Sequence, residues 1–399
     1  MTAASVAFFS GDQSALELAS YIATAKGEAD NTGPFYESAK KLLAEEKYTE
    51  VLTQFASESK TLLGASEKDF EPLYNLLFAL IKDAQPDIIP ELVKKITEPI
   101  VSSGIEKAHL KLKVLSNLYN NLESKSSARY TVFVAIVNVA AQSDELEIIT
   151  PHLASLDSWL AEWGTGADEK RALYLLISKK LEESGSADKE CYQFLLKYLS
   201  TFDGASAEAK PYALQAIKSA IKIPGVLAFD DLSNLDTVKA LAGSNHLEFL
   251  KIFSEGDLKQ YQEFVKKNPK IVSELDLNEE DNLTKMRLLT LASLSATHVH
   301  SSVSYTTIST ALSIPEDDVE IWVINTIRAG LVDAKMNQLD RSVVISRSVH
   351  RSFGEQEWKS LGQKLEAWKV ELKEVLTVIG NAKLLAGSNG ATVEAVIQQ

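Results

Sequence analysis

The chain has one cysteine, Cys191, among 399 residues. No internal disulfide can form, so nothing in the thiol content points to an oxidising compartment. Its surroundings, "DKECYQFLLKYL", read as an amphipathic helix with no activating neighbour, which predicts a structural thiol rather than a nucleophile. Cations are scarce beside anions: 41 Lys and Arg stand against 55 Asp and Glu, for a formal net charge of −14. That balance argues against a sequence-independent grip on nucleic acid, which needs clustered cations to displace counterions. It argues equally against docking on anionic lipid. Long apolar runs are missing too. The longest apolar-rich stretch, "YTVFVAIVNVAA" from Tyr130, falls far short of the roughly 20 residues that a bilayer span requires. The opening "MTAASVAFFSGDQSALELA" has no basic flank before its short apolar run, so it does not read as a leader. We expect a cytoplasmic protein with no membrane contact.

Reactive motifs are absent as well. The sequence holds no H-E-x-x-H, no paired C-x-x-C, no Walker loop and no G-x-S-x-G elbow. His298 and His300 form the one close histidine pair. An H-x-H pair opens the metal site of JAMM deubiquitinases, where Pro follows and a Ser-x-x-Asp lies downstream. Here Ser301 follows, and three residues after Ser309 stands Leu312, not Asp. Histidines at a helix end are more often satisfied by the last carbonyls. The many carboxylates fall on solvated helix faces. We therefore expect no catalytic residue, no cofactor and no metal.

What is present is helix. From about residue 12 to about 225 the pattern is helix, short break, helix. "EKDFEPLYNLLFALIKDA" sets Phe70, Leu73, Leu76, Leu77 and Leu80 at three- and four-residue spacing. Further helices are expected over Ser14–Lys26, Pro86–Ser102 and Lys107–Leu122. "SARYTVFVAIVNVAAQ" (Ser127–Gln142) is apolar nearly all round, which predicts burial on more than one side. The breaks carry Gly, Ser, Pro or Asp, as at Gly104 and Gly164-Thr165-Gly166. Stacked helical hairpins are the natural arrangement. "IPGVLAFDDLSNL" (Ile223–Leu235) reads as a joint.

At Val303 the texture changes. "SYTTISTALSI" predicts a short helix with Ile308, Ala311 and Leu312 inward, and "IPEDDVEIWVINTIRAG" a second. Pro315 suits its first turn, Ser313 with Glu316 resembles a capping pair, and Gly330 ends it as a left-handed cap. Two alternating runs then flank the turn "NQLDR". Val332, Ala334 and Met336 share a face of the first, Val343 and Ile345 a face of the second. Helix, turn, helix and hairpin make a winged helix. A lone hairpin is marginal, so it must lean on those helices. After it, Gly354–Gly380 reads as one long helix with Trp358, Leu361, Leu365, Trp368, Leu372, Val375 and Ile379 spaced alternately by three and four, a strict heptad seam.

The fold class expected is an all-α superhelical array of helical hairpins, then a small winged-helix (α+β) subdomain and a long C-terminal helix. The boundaries are 1–225 for the array, 226–302 for the helices before the wing, 303–350 for the winged helix, 351–380 for the last helix and 381–399 for a flexible tail.

A winged helix raises DNA binding. The second helix would have to present basic groups to the major groove. Here it carries Glu316, Asp317, Asp318 and Glu320 against Arg328. Ile321 and Ile324 lie opposite Val319, Val323 and Ile327, so protein should cover both sides. No direct DNA binding is expected. Arg341, Arg347, His350 and Arg351 form a modest basic rim that leaves room for a weak RNA contact. Assembly is the remaining class: the seam calls for partner helices, and the wing offers strand edges.

Taken together, "LKLKVLSNLYNNLESKSSARYTVFVAIVNVAAQ", "TKMRLLTLASLS" and the stretch from Val319 to Lys369 resemble the PCI family. These are scaffold subunits of the proteasome lid, the signalosome and eukaryotic translation initiation factor three, and the likeness is greatest to the last. The resemblance implies a non-catalytic subunit of a large cytoplasmic complex that binds the small ribosomal subunit. Its partners would be other PCI and MPN subunits. It also implies edge-to-edge contact between winged helices through Leu331, Val332, Val343, Val344 and Ile345, and a bundle through the seven seam residues. The signalosome and the proteasome lid have the same build, and an RNA-binding winged helix is the alternative of another class.

Overall fold

The computed structural model describes residues 11–28, 32–82, 84–185, 188–202, 204, 206–352 and 354–397. The first ten residues, read above for a leader, and the last two lie outside it. By internal contacts the chain divides into two compact units, Met1–Tyr212 and Ala213–Gln399. The division falls inside a helix, ahead of the joint that the sequence suggested.

In the first unit helices follow one another with short breaks. They are α1 (Gly11–Ala25), α2 (Pro34–Ala44), α3 (Tyr48–Ser57), α4 (Ser59–Leu62), α5 (Glu67–Lys82), α6 (Ile89–Ser102), α7 (Ala108–Asn121), α8 (Ala128–Gln142), α9 (Leu156–Glu162), α10 (Ala167–Ser184), α11 (Asp188–Ser200) and α12 (Ala209–Lys222), which crosses the division. Neighbours pair, as α1 does with α2, α7 with α8 and α10 with α11. Next neighbours pack too, as α5 does with α7 and α6 with α8. That is the contact pattern of stacked hairpins. Helix α8 buries Val132, Phe133, Ala135, Val137 and Val139, residues on several sides of it, as its uniform apolarity predicts. On α5 the buried stripe is Phe70, Tyr74, Leu77, Phe78 and Ile81. The expected Leu73, Leu76 and Leu80 are only half-buried. The aromatics took the inner face because the Tyr74 hydroxyl finds the Ser59 carbonyl at 3.1 Å, which lets it go inside. Helix α6 begins three residues later than Pro86, with Pro90 in its first turn.

The second unit continues with α13 (Asp230–Ser233), α14 (Asp236–Lys239), α15 (Asn245–Glu255), α16 (Leu258–Lys267), α17 (Lys270–Glu274) and α18 (Glu279–Thr297). Its core is aromatic: Phe229, Phe249, Phe253, Tyr261 and Phe264 stand with ring centroids 5.1 to 6.2 Å apart. Next come β1 (Ser302–Ser304), α19 (Tyr305–Leu312), α20 (Val319–Arg328), β2 (Val332–Asn337) and β3 (Ser342–Ser348), and these form the winged helix. Strand β1 was not legible in the sequence. It pairs antiparallel with β3, and the sheet order is β1-β3-β2. The third strand and α18 supply the support that an isolated hairpin would lack.

Local chemistry sets the ends. Ser304 Oγ accepts the Thr307 N–H at 3.3 Å and caps α19. Ser313 does not pair with Glu316. It is left-handed, at φ 52°, and closes α19, while a short 3₁₀ turn over Glu316–Asp318 leads into α20. Gly330 has φ 74°, and its N–H donates to Ile327 O at 2.9 Å, the left-handed cap that was expected. At the wing tip Asn337 Oδ1 accepts the N–H groups of Leu339 and Asp340, at 3.2 and 3.3 Å.

The chain ends in α21 (Glu355–Ile397), 43 residues and about 64 Å long. Most of the segment expected to be a flexible tail from 381 is therefore helical. Leu384, Leu385 and several alanines keep helix propensity there, despite Gly387 and Gly390.

Candidate assembly surface

Helix α21 forms because Leu, Lys, Glu, Gln and Trp fill its first half and because its start is tied. Glu357 accepts the Gly354 N–H at 2.9 Å, and Lys359 pairs with Glu355 at 2.6 Å. The seven seam residues Trp358, Leu361, Leu365, Trp368, Leu372, Val375 and Ile379 are each 39% to 63% exposed. Leu376 widens the same stripe, and nearly every described side chain of the helix is open to solvent. The seam does not fold back on its own winged helix. Contiguous apolar surface on this scale is uncommon on a monomeric soluble chain.

The sheet edge is placed differently from expectation. Leu331, Val332, Val343 and Ile345 are buried, packed in one core with Val303, Ile308, Val319 and Val323. Their side chains hold the winged helix together and cannot reach another chain. Val344 alone of the five points outward, 41% exposed. Strand β3 is central, so the sheet's free edges belong to β1 and β2. Between β2 and β3 the register shifts at Asp333/Ala334, where Ser346 is the extra, bulged residue on β3.

The basic rim also dissolves. Arg341 Nη1 meets Glu316 Oε2 at 3.0 Å, and Arg347 Nε meets Asp333 Oδ2 at 3.2 Å. Arg351 is buried. It donates to the carbonyls of Ile252, Phe253 and Gly256 and to Ser293 Oγ, at 2.7 to 3.3 Å. It thus satisfies the open carboxyl end of α15 from a point just ahead of α21.

Lys285 on α18 does the same for α12. It is buried, with Nζ 2.7, 3.1 and 2.8 Å from the carbonyls of Ala220, Ile221 and Ile223 and 5.3 Å from the Phe229 ring centroid. Lys111 on Gly104 O and Arg129 on Leu122 O repeat the device in the first unit. An acidic chain thus places part of its small stock of cations on helix ends, buried or half-buried. Burial pushes the Lys285 ammonium down to about 7. Below that pH both folded and unfolded chains hold the proton, and the full cost of burying the charge is present. Between about 7 and lysine's ordinary value of about 10.4, the unfolded chain binds more protons, so stability rises with pH. Thermal melting of the full chain from pH 6 to 9 should show that rise, and Lys285→Met should flatten it. An unchanged slope would remove this role.

His298 Nδ1 lies 2.9 Å from Leu294 O, the helix-end satisfaction expected of it. Among the described residues no three His, Cys, Asp or Glu side chains group so as to hold a metal, and no helix is long and apolar enough to cross a membrane. Cys191 is buried beside Ser178, and burial raises its thiol.

Comparison with known proteins places these parts together. The model of the PCI domain matches residues 258–347, and that of the eIF3 subunit M C-terminal helix matches residues 351–379. Eukaryotic translation initiation factor 3 subunit M of Dictyostelium discoideum is 36% identical over 354 residues, covering 86% of this chain and 87% of that protein. The same subunit of Phaeosphaeria nodorum is 35% identical over 377 residues, 91% and 85% of the two chains. That of Aspergillus terreus is 38% identical over 345 residues, 83% and 74%.

Proposed function

The chain belongs to the eukaryotic translation initiation factor 3 subunit M family, and on that footing we propose that it is a non-catalytic scaffold subunit of this factor. It acts through protein–protein contacts in assembling the translation pre-initiation complex on the small ribosomal subunit. The observation that carries the reading is the open seam of α21, which lies within the segment matched by the family's C-terminal helix. A row of exposed Trp, Leu, Val and Ile at heptad spacing gains its missing apolar burial when other helices cover it.

In this reading the helices over 226–302 hold the winged helix of 303–350, and the helix from 351 enters a bundle with helices of other PCI and MPN subunits. Edge association of winged helices falls to the backbone of β2, with Val344 the one outward side chain of the five first considered. A place in the signalosome or proteasome lid would use the same parts, and family membership favours the initiation factor. An RNA-binding role loses its footing with the paired and buried arginines.

Affinity purification of the tagged full-length chain, with identification of the co-purifying chains, tests the proposal. Initiation factor subunits and the small ribosomal subunit should be recovered. A solitary monomer, with Trp358 and Trp368 shielded from quencher, would overturn it.

A further inference from the structure

The sequence places apolar residues on both sides of α20, a pattern that calls for protein cover on both. The chain covers one side only. Val319 and Val323 are buried, whereas Ile321 is 58% and Ile324 38% exposed. The wing tip stands beside this outer face. Gln338 Nε2 donates to Glu320 Oε2 at 3.0 Å, the Tyr305 hydroxyl holds the other carboxylate oxygen at 3.2 Å, and the Arg341–Glu316 pair makes a second clasp. Leu339 follows Gln338 and is 97% exposed. Three large apolar side chains are thus held on two clasped elements, where a reader of DNA would present its bases' partners.

We propose that the outer face of α20 and the wing tip form a docking surface for a protein segment carrying apolar residues beside lysine or arginine. The site is separate from the β2 edge and from α21. Ile321, Ile324 and Leu339 supply the apolar anchors. The rim supplies the charge preference: Asp317, Asp318, Glu320 and Asp340 stand against Arg328, since Glu316 and Arg341 neutralise each other. A rim of that sign attracts a basic peptide and repels a phosphate backbone. The clasp fixes the anchors before binding, so little ordering cost remains.

The inference rests on the assembly reading only in that the cover comes from another chain. Its test exploits the buried, unreactive Cys191. Leu339→Cys places a single accessible thiol on a turn that contributes nothing to the core. Maleimide labelling of that thiol should be at least tenfold slower in the affinity-purified complex than in the free full-length chain. A thiol-anchored crosslinker should then attach to a protein segment with Lys or Arg next to apolar residues. Adding Ile324→Lys, at an exposed position that tolerates the change, should restore the free-chain labelling rate. Recovery of the complex with labelling at the free-chain rate overturns this inference alone. So does a crosslink to RNA or to an acidic segment. Recovery of no partner at all overturns both this and the assembly reading.

Discussion

A chain carrying Leu365→Asp and Leu372→Asp is expected to fold normally and to lose its partners. Both leucines are half-exposed in the isolated chain, 53% and 50%, so the change removes little from the fold itself. Aspartate lowers helix propensity by less than about 0.7 kcal/mol per site, which a helix this long absorbs. In the assembled state the two positions lie on one stripe, a heptad apart. Burying each leucine is worth about 1.5–3 kcal/mol, and a carboxylate left in a dry seam adds a desolvation penalty. Affinity should fall by at least about a hundredfold. Co-purifying subunits should disappear while circular dichroism and melting of the variant stay unchanged. As a control, Lys373→Gln on the opposite face should retain every partner. Retention of partners by the double variant would mean that the seam is not the interface.

The second large effect is on stability. Arg351→Met should lower the melting temperature of the full chain's second unit by about 6–12 °C, corresponding to about 3 kcal/mol. The reason is the number of groups that depend on one guanidinium. Three carbonyls at the end of α15 and the Ser293 hydroxyl use its Nη1 and Nη2. Methionine fills part of the volume and leaves those acceptors buried without donors. Burial holds the guanidinium down to about 10, so it remains charged at neutral pH and its hydrogen bonds stay charge-assisted. Arg351→Lys should recover only part of the loss, because an ammonium lacks the planar fork. Amide exchange in the last turn of α15 is the local readout, and it should accelerate with the global transition. Melting within about 2 °C of the parent, little more than one surface substitution costs, would show that water replaces the guanidinium without penalty.

Much of this architecture could be read from the chain because its signals are local and periodic. The heptad seam needed only spacing, and the winged helix was given away by Gly330 and by alternation on either side of a polar turn. Strand β1 escaped because three residues of Ser-Val-Ser carry too short an alternation to register, and its existence depends on β3 lying beside it. The burial of Leu331, Val332, Val343 and Ile345 was implicit in that same alternation. Assigning them to an outer edge confused the face that faces the core with the edge that faces a neighbour. Lys285 did leave a signal: it stands four residues before Leu289 and seven before Ala292, on the buried stripe of α18. Arg351 left none, since its carbonyl partners are nearly a hundred residues away. The phase of α5 was missed because side-chain size alone does not tell whether a tyrosine hydroxyl will find an acceptor inside.

The uncovered ridge of α21 also bears on supply. Surplus copies made beyond the number of available companions would have the same ridge with nothing to cover it, and a second copy is the nearest substitute. Such orphans should pair with one another as their concentration rises, visible as a concentration-dependent increase in sedimentation rate that Leu365→Asp abolishes. On the proposed assembly role, balanced synthesis of the subunits becomes a solubility requirement written into one helix.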